Sequence, residues 1–97
     1  MIVKAHKTDD GRKILAICDS ELIGKKFEEK NLQLDLSSSF YKGEEKNEGE
    51  LIGLIREAYI VNIVGGRSVG FAIKRGVINK GNIIKIKNIP HAQAILE

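Results

Sequence analysis

Gly65-Gly66-Arg67-Ser68 follows the β-branched run Ile60–Val64 and precedes a stretch that ends at Gly76. A glycine turn opening a helix leaves free N–H groups at the positive end of the helix dipole. The cation of Arg67 beside them would complete a site for phosphate or carboxylate. Ser68 suits the N-cap of a helix beginning at Val69, and Gly76 suits its C′ position. The plainer reading of the same residues is a tight strand-to-helix connection, since GGRSVG has neither the Walker spacing nor that of G-x-G-x-x-G.

The remaining polar candidates are few. In Pro90-His91-Ala92-Gln93, alternation along a strand puts His91 and Gln93 on one face, pairing an imidazole with an amide. Such a pair suits a base edge, a peptide backbone or a small ligand, and equally a polar strand face with no ligand. Asp19 follows the apolar run Ile14–Cys18 and would join them if the chain folds back. Cys18 reads as a small buried hydrophobe rather than a nucleophile. His6 and His91 are the two histidines, and no metal-ligand spacing such as H-E-x-x-H occurs. No cofactor motif is present.

Charge is distributed unevenly. Residues 61–97 carry six Lys/Arg (Arg67, Lys74, Arg75, Lys80, Lys85 and Lys87) against Glu97 alone, whereas residues 31–60 carry three against six acids. Lys74, Arg75, Lys85 and Lys87 are therefore the candidate nucleic-acid contacts. Aromatic residues are not interleaved with them, which weakens a single-strand stacking reading.

The elements that must position these residues follow from periodicity. Residues 2–6 and 13–18 read as a hairpin around Thr8-Asp9-Asp10-Gly11. Asp19 or Ser20 caps a short helical turn over residues 21–25, and Leu32, Leu34 and Leu36 alternate as a half-buried strand. Asn47 and Glu50 form a capping box for a helix running to about Tyr59, in which Gly53 marks close packing against the sheet. Residues 60–64 form a central strand, whose one polar break, Asn62, needs hydrogen-bond partners if buried. A helix over residues 69–75 follows. Residues 83–87 form a strand with Ile84 and Ile86 inward. Pro90 interrupts, and residues 92–96 form a last strand at a sheet edge. This order predicts an α+β fold: a two-layer sandwich with a mixed β-sheet and helices packed mainly on one face.

The 97 residues make one compact domain, 1–97, with 42% hydrophobic and 30% charged residues and a net charge of +3. No apolar run reaches membrane-spanning length, and Met1-Ile-Val-Lys opens directly into strand-like sequence. One cysteine excludes an intrachain disulfide. These features point to the cytoplasm and away from a membrane.

Four stretches in a characteristic order, AICDSELIGKKF (16–27), FYKGE (40–44), VNIVG (61–65) and PHAQ (90–93), resemble the small archaeal proteins of domain-of-unknown-function family four-two-four. The resemblance spans essentially the whole chain and implies a stand-alone archaeal α+β protein. It implies no reaction and supplies no catalytic residues.

Three functions remain in view. The first is a non-enzymatic module binding RNA or a ribonucleoprotein through Lys74, Arg75, Lys85 and Lys87. The second is a small-ligand, anion-binding or enzymatic site built from Asp19, Gly65, Gly66, Arg67, Ser68, His91 and Gln93. The third is a protein-interaction domain that pairs through the strand near residues 92–96, with a homo-oligomer among its forms.

Overall fold

The structure, a computed structural model, describes residues 1–96. Ten elements follow one another: β1 (Ile2–Lys7), β2 (Lys13–Cys18), β3 (Lys26–Glu29), β4 (Leu32–Asp35), β5 (Glu44–Glu45), α1 (Glu48–Arg56), β6 (Ile60–Val64), α2 (Gly66–Lys74), β7 (Ile83–Ile86) and β8 (Ile89–Ile95). Six strands form one mixed sheet in the order β5-β1-β2-β6-β8-β7, and β3 and β4 form a separate hairpin. β2 and β6 are parallel, and the other pairs are antiparallel. The fold is α+β.

Alternation along the strands divides the core. Val3, Leu15, Ile17, Val61, Ile63 and Ala92 point to the face where both helices pack, meeting Leu51 of α1 and Val69, Phe71 and Ala72 of α2. Ala16, Cys18, Val64 and Ile86 point to the opposite face. There they meet Leu34 and Leu36 from the hairpin segment and Leu22 and Tyr41 from two single helical turns. The continuously apolar β2 and the nearly apolar β6 are thus covered on both sides.

The β1–β2 hairpin closes as expected: Thr8 and Arg12 pair through their backbones at 2.9 Å, and Gly11 takes φ 86°. The capping box of α1 is complete. Glu50 N–H donates to Asn47 Oδ1 at 2.8 Å, and Asn47 N–H to Glu50 Oε1 at 3.1 Å. α1 stops at Arg56, short of Tyr59, because Tyr59 N–H donates to the Lys13 carbonyl and enters the sheet.

Other expectations are corrected. β8 is not the edge strand of the sheet: it pairs with β6 over residues 91–95 and with β7 over residues 89–92, so only residues 93–95 are open on the β7 side. Pro90 lies inside it, and its carbonyl accepts from Gly65 N–H at 2.9 Å. Gly53 faces solvent, and an added Cβ there would meet nothing within 4 Å, so it marks no close packing. Ile86 is buried, but Ile84 is 49% exposed, since it lies on the hairpin-side face of the edge strand β7, which the hairpin covers only in part. β3 is an additional strand, paired in register with the expected leucine strand through Phe27 and Leu34. No helix among the described residues is long and apolar enough to cross a membrane.

Candidate functional site

Because β2 and β6 are parallel neighbours, Asp19 and Gly65 leave the sheet at the same end, here called its carboxyl end. The chain departs from β2 toward the hairpin face and from β6 into α2 on the other face. Such a divergence opens the crevice in which α/β sheets commonly bind ligands. In this protein the crevice holds the chain's own anion. The Asp19 carboxylate accepts from Arg67 N–H at 3.0 Å, from Ser68 N–H at 2.7 Å and from Ser68 Oγ–H at 2.6 Å.

Asp19 is 5% exposed and Ser68 is fully buried, so these are charge-assisted bonds shielded from water. Ser68 is therefore not the N-cap. Gly65 takes that position with φ 106°, and the helix starts at Gly66, because the capping acceptor arrives from β2 instead of from the helix's own sequence. A Cβ on Gly65 would overlap the Asp19 carboxylate, so the glycine is required by both conformation and space.

The structure brings Asp19, Gly65, Gly66, Arg67 and Ser68 together, but as an internal lock. Arg67 does not close over the carboxylate with its side chain. It is exposed, and its charge is one of the influences that lower the pKa of Glu45, after the hydrogen bonds Glu45 accepts from the chain's N-terminus and Ser20. His91 lies opposite Val64, next to this turn, on the hairpin-side face. Its Nε2 is buried without a hydrogen-bond partner, and burial lowers its pKa from the ordinary 6.5. Gln93 shares that face but lies opposite Asn62, roughly 7 Å farther from the turn at about 3.4 Å per residue, and is exposed. Cys18 is 0% exposed, and burial followed by the Asp19 charge pushes its thiol up to about 12. It is a packed hydrophobe, not an available thiolate.

The four basic candidates do not share a location. α2 begins at the carboxyl end and runs back over β6 and β8, carrying Lys74 and Arg75 to the opposite, amino end. Lys87 occupies the two-residue β7–β8 turn, with φ 52°, where its N–H donates to Glu29 Oε1 at 2.8 Å. That turn flanks the carboxyl end. Lys85 is exposed on the edge strand β7.

A feature that no linear motif announced lies at the amino end. α1 ends where β6 begins, so the last turns of α1 and α2 stand side by side on one sheet face. Between them is a groove of about 280 Å³ lined by Ile52, Ile55, Arg56, Phe71, Arg75 and Val77. Its floor is aliphatic and aromatic, and its rim carries two guanidinium groups. Neither Arg56 nor Arg75 makes an ion pair among the described residues, whereas Arg12 pairs with Asp10 and Lys13 with Glu57 nearby. The sequence signal for this groove was the 3–4 spacing of Ile52, Ile55 and Arg56 on one helix and of Phe71 and Arg75 on the other. Their convergence depends on topology.

A larger cleft of about 530 Å³ lies near β5, lined by Val3, Ala5 and Leu54 with Lys4, Lys42 and Lys46. Lys46 is already engaged there by Glu44 and Glu50.

No curated protein matches the chain. A crystal structure of an uncharacterized conserved protein from Methanopyrus kandleri is similar to it at 25% identity, covering 96% of this chain and 88% of that one with a TM-score of 0.80. A similar fold thus occurs in an archaeal protein. The family model described as "Protein of unknown function (DUF424)" matches residues 6–96, and the chain belongs to that family.

Proposed function

We propose that this protein is a non-enzymatic binding module whose partner is a protein, engaged at the α1–α2 groove. The observation that carries the reading is an open apolar slot, floored by Ile52, Ile55, Phe71 and Val77, between two helices of which α1 buries only Leu51 fully. Exposed apolar grooves rimmed by polar groups are typical protein-recognition surfaces. The crevice at the carboxyl end is less suited to an external anion, because Asp19 already occupies the α2 N-terminus. The test is capture from native extract by the wild-type protein and by Ile55→Ser, with nuclease treatment and with high salt. A partner retained through both treatments and lost with Ile55→Ser supports the groove. A partner retained equally by both proteins excludes it.

RNA or a ribonucleoprotein is the second reading, favoured by one specific observation. The β1–β2 turn and the ends of both helices bring Lys7, Arg12, Lys13, Arg56, Lys74 and Arg75 to the amino end, with Arg12 and Lys13 already paired to Asp10 and Glu57. On this reading the phosphate contacts are Arg56, Lys74 and Arg75, with Lys85 and Lys87 outside the footprint. Affinity for a single-stranded RNA oligonucleotide should then fall steeply with salt and with Lys74→Glu or Arg75→Glu, and stay unchanged with Lys87→Glu. Salt-independent or absent binding removes this reading.

A further inference from the structure

Resting on the groove reading above, we infer that the groove's occupant is an acidic segment of a partner protein that inserts one large apolar side chain and sets carboxylates against Arg56 and Arg75. Three observations define that occupant.

The first is size. About 280 Å³ is at or below the lower limit of small-molecule and cofactor pockets, but it suits an anchoring side chain such as leucine or phenylalanine. The second is the floor. Phe71 is 5% exposed and already part of the core, while Ile52, Ile55 and Val77 are half-buried and pack against that core from above. An inserted side chain would therefore extend an existing apolar cluster, with a rigid base beneath it. The third is charge. Arg56 and Arg75 flank the slot from two different helices and make no ion pair among the described residues. A planar guanidinium presents two parallel donors to a carboxylate, and its weak hydration lowers the cost of burying it in an interface.

The surroundings exclude the opposite charge pattern. Lys74 adjoins Arg75 at the end of α2, and Glu57, which follows Arg56 in the chain, is paired with Lys13 at 3.6 Å. A basic segment would meet repulsion on both rims. A purely apolar segment would leave two guanidinium groups partly desolvated and unpaired, which is costly in an interface. The carboxylates on either side of the anchor thus set specificity, and the anchor supplies the burial.

The experiment is a selection from a random twelve-residue peptide display library against the full-length protein. Titration of a fluorescent copy of the enriched peptide then follows, read by anisotropy. The expected consensus has a leucine, isoleucine, methionine or phenylalanine flanked by aspartate or glutamate. Binding should weaken at least tenfold in Arg56→Glu and in Arg75→Glu, and similarly when the apolar anchor of the peptide is replaced by serine. Both arginines are exposed at helix C-termini, so these variants should lower the urea midpoint only slightly, through the helix dipole, and remain folded. Ile52→Ala, milder than a polar replacement, provides a second test of the floor. Enriched peptides that are basic or neutral, yet lose binding with Ile52→Ala, would overturn the acidic occupant while leaving the groove as the binding surface. Peptides indifferent to every groove variant, or no enrichment at all, would overturn both readings. Displacement of a bound acidic peptide by RNA, with loss of RNA binding in the same arginine variants, would reassign the rim to nucleic acid.

Discussion

Asp19 links two parts of the fold through one carboxylate. Removing it in Asp19→Ala leaves the N–H groups of Arg67 and Ser68 and a buried hydroxyl without their acceptor. With charge-assisted hydrogen bonds at about 1.5–3 kcal/mol each and helix caps at about 0.5–2 kcal/mol, we expect a loss of about 3 kcal/mol, read as a lowered urea midpoint. Asp19→Asn, which keeps one acceptor oxygen, should lose about half as much on the same scale.

His91 gives a pH dependence of known sign. Burial lowers its pKa in the folded protein below the 6.5 of the free group. Its contribution is therefore intact above pH 6.5 and declines as the pH falls below it, where the unfolded chain takes up a proton that the folded chain resists. The difference in unfolding free energy between pH 7 and pH 5 should shrink in His91→Leu, as measured by urea titration at both values. An unchanged difference would show that the imidazole is not held neutral by the fold.

Individual residues were only partly legible in the sequence. Gly65 and Ser68 stood out by type, yet their roles were displaced by one turn of helix, because the acceptor that caps α2 lies 48 and 49 positions away along the chain. Local rules recognise a cap whose donor and acceptor are close in sequence, as for Asn47 and Glu50, and have no access to one assembled by strand pairing.

At the scale of elements, α1 and α2 each contain an interior glycine with no structural demand on it. Gly53 and Gly70 are exposed, and an added Cβ at either meets nothing within 4 Å. Gly53→Ala and Gly70→Ala should each stabilise the protein by about 0.5–1 kcal/mol, through helix propensity and a less flexible unfolded chain, and raise the thermal midpoint. A destabilised Gly53→Ala would indicate contacts at α1 that the fold does not contain.

The strands were read well where both faces are apolar, as in β2 and β6. β3 is hidden in the sequence because Lys26-Phe27-Glu28-Glu29 offers one apolar residue in four, and its pairing rests on Phe27 opposite Leu34. Proline forfeits a donor, and by local rules that points β8 to an edge. Here Pro90 needs only to accept, and its carbonyl does so.

For the whole molecule, the placement of charge is set by topology more than by sequence order. The basic excess of residues 61–97 is divided between the two ends of the sheet, because α2 runs back against β6. Arg56, from a stretch rich in acids, joins Lys74 and Arg75 at the amino end. Segment counts gave the correct net charge and the wrong neighbourhood. The α1–α2 groove was illegible for the same reason: it belongs to two helices whose relation is fixed by the strand between them.

The Asp19 lock also bears on the order in which the chain folds. Its acceptor and donors are nearly half the chain apart, so α2 has no N-terminal support until β2 and β6 lie side by side. A nine-residue helix containing Gly66 and Gly70 is too short to persist alone. The helix should therefore consolidate after the rate-limiting step, once the parallel pair has closed its long loop. In stopped-flow experiments Ser68→Ala and Asp19→Asn should accelerate unfolding and leave the refolding rate almost unchanged. A matching slowdown of refolding would mean that the parallel pair and its helix form together.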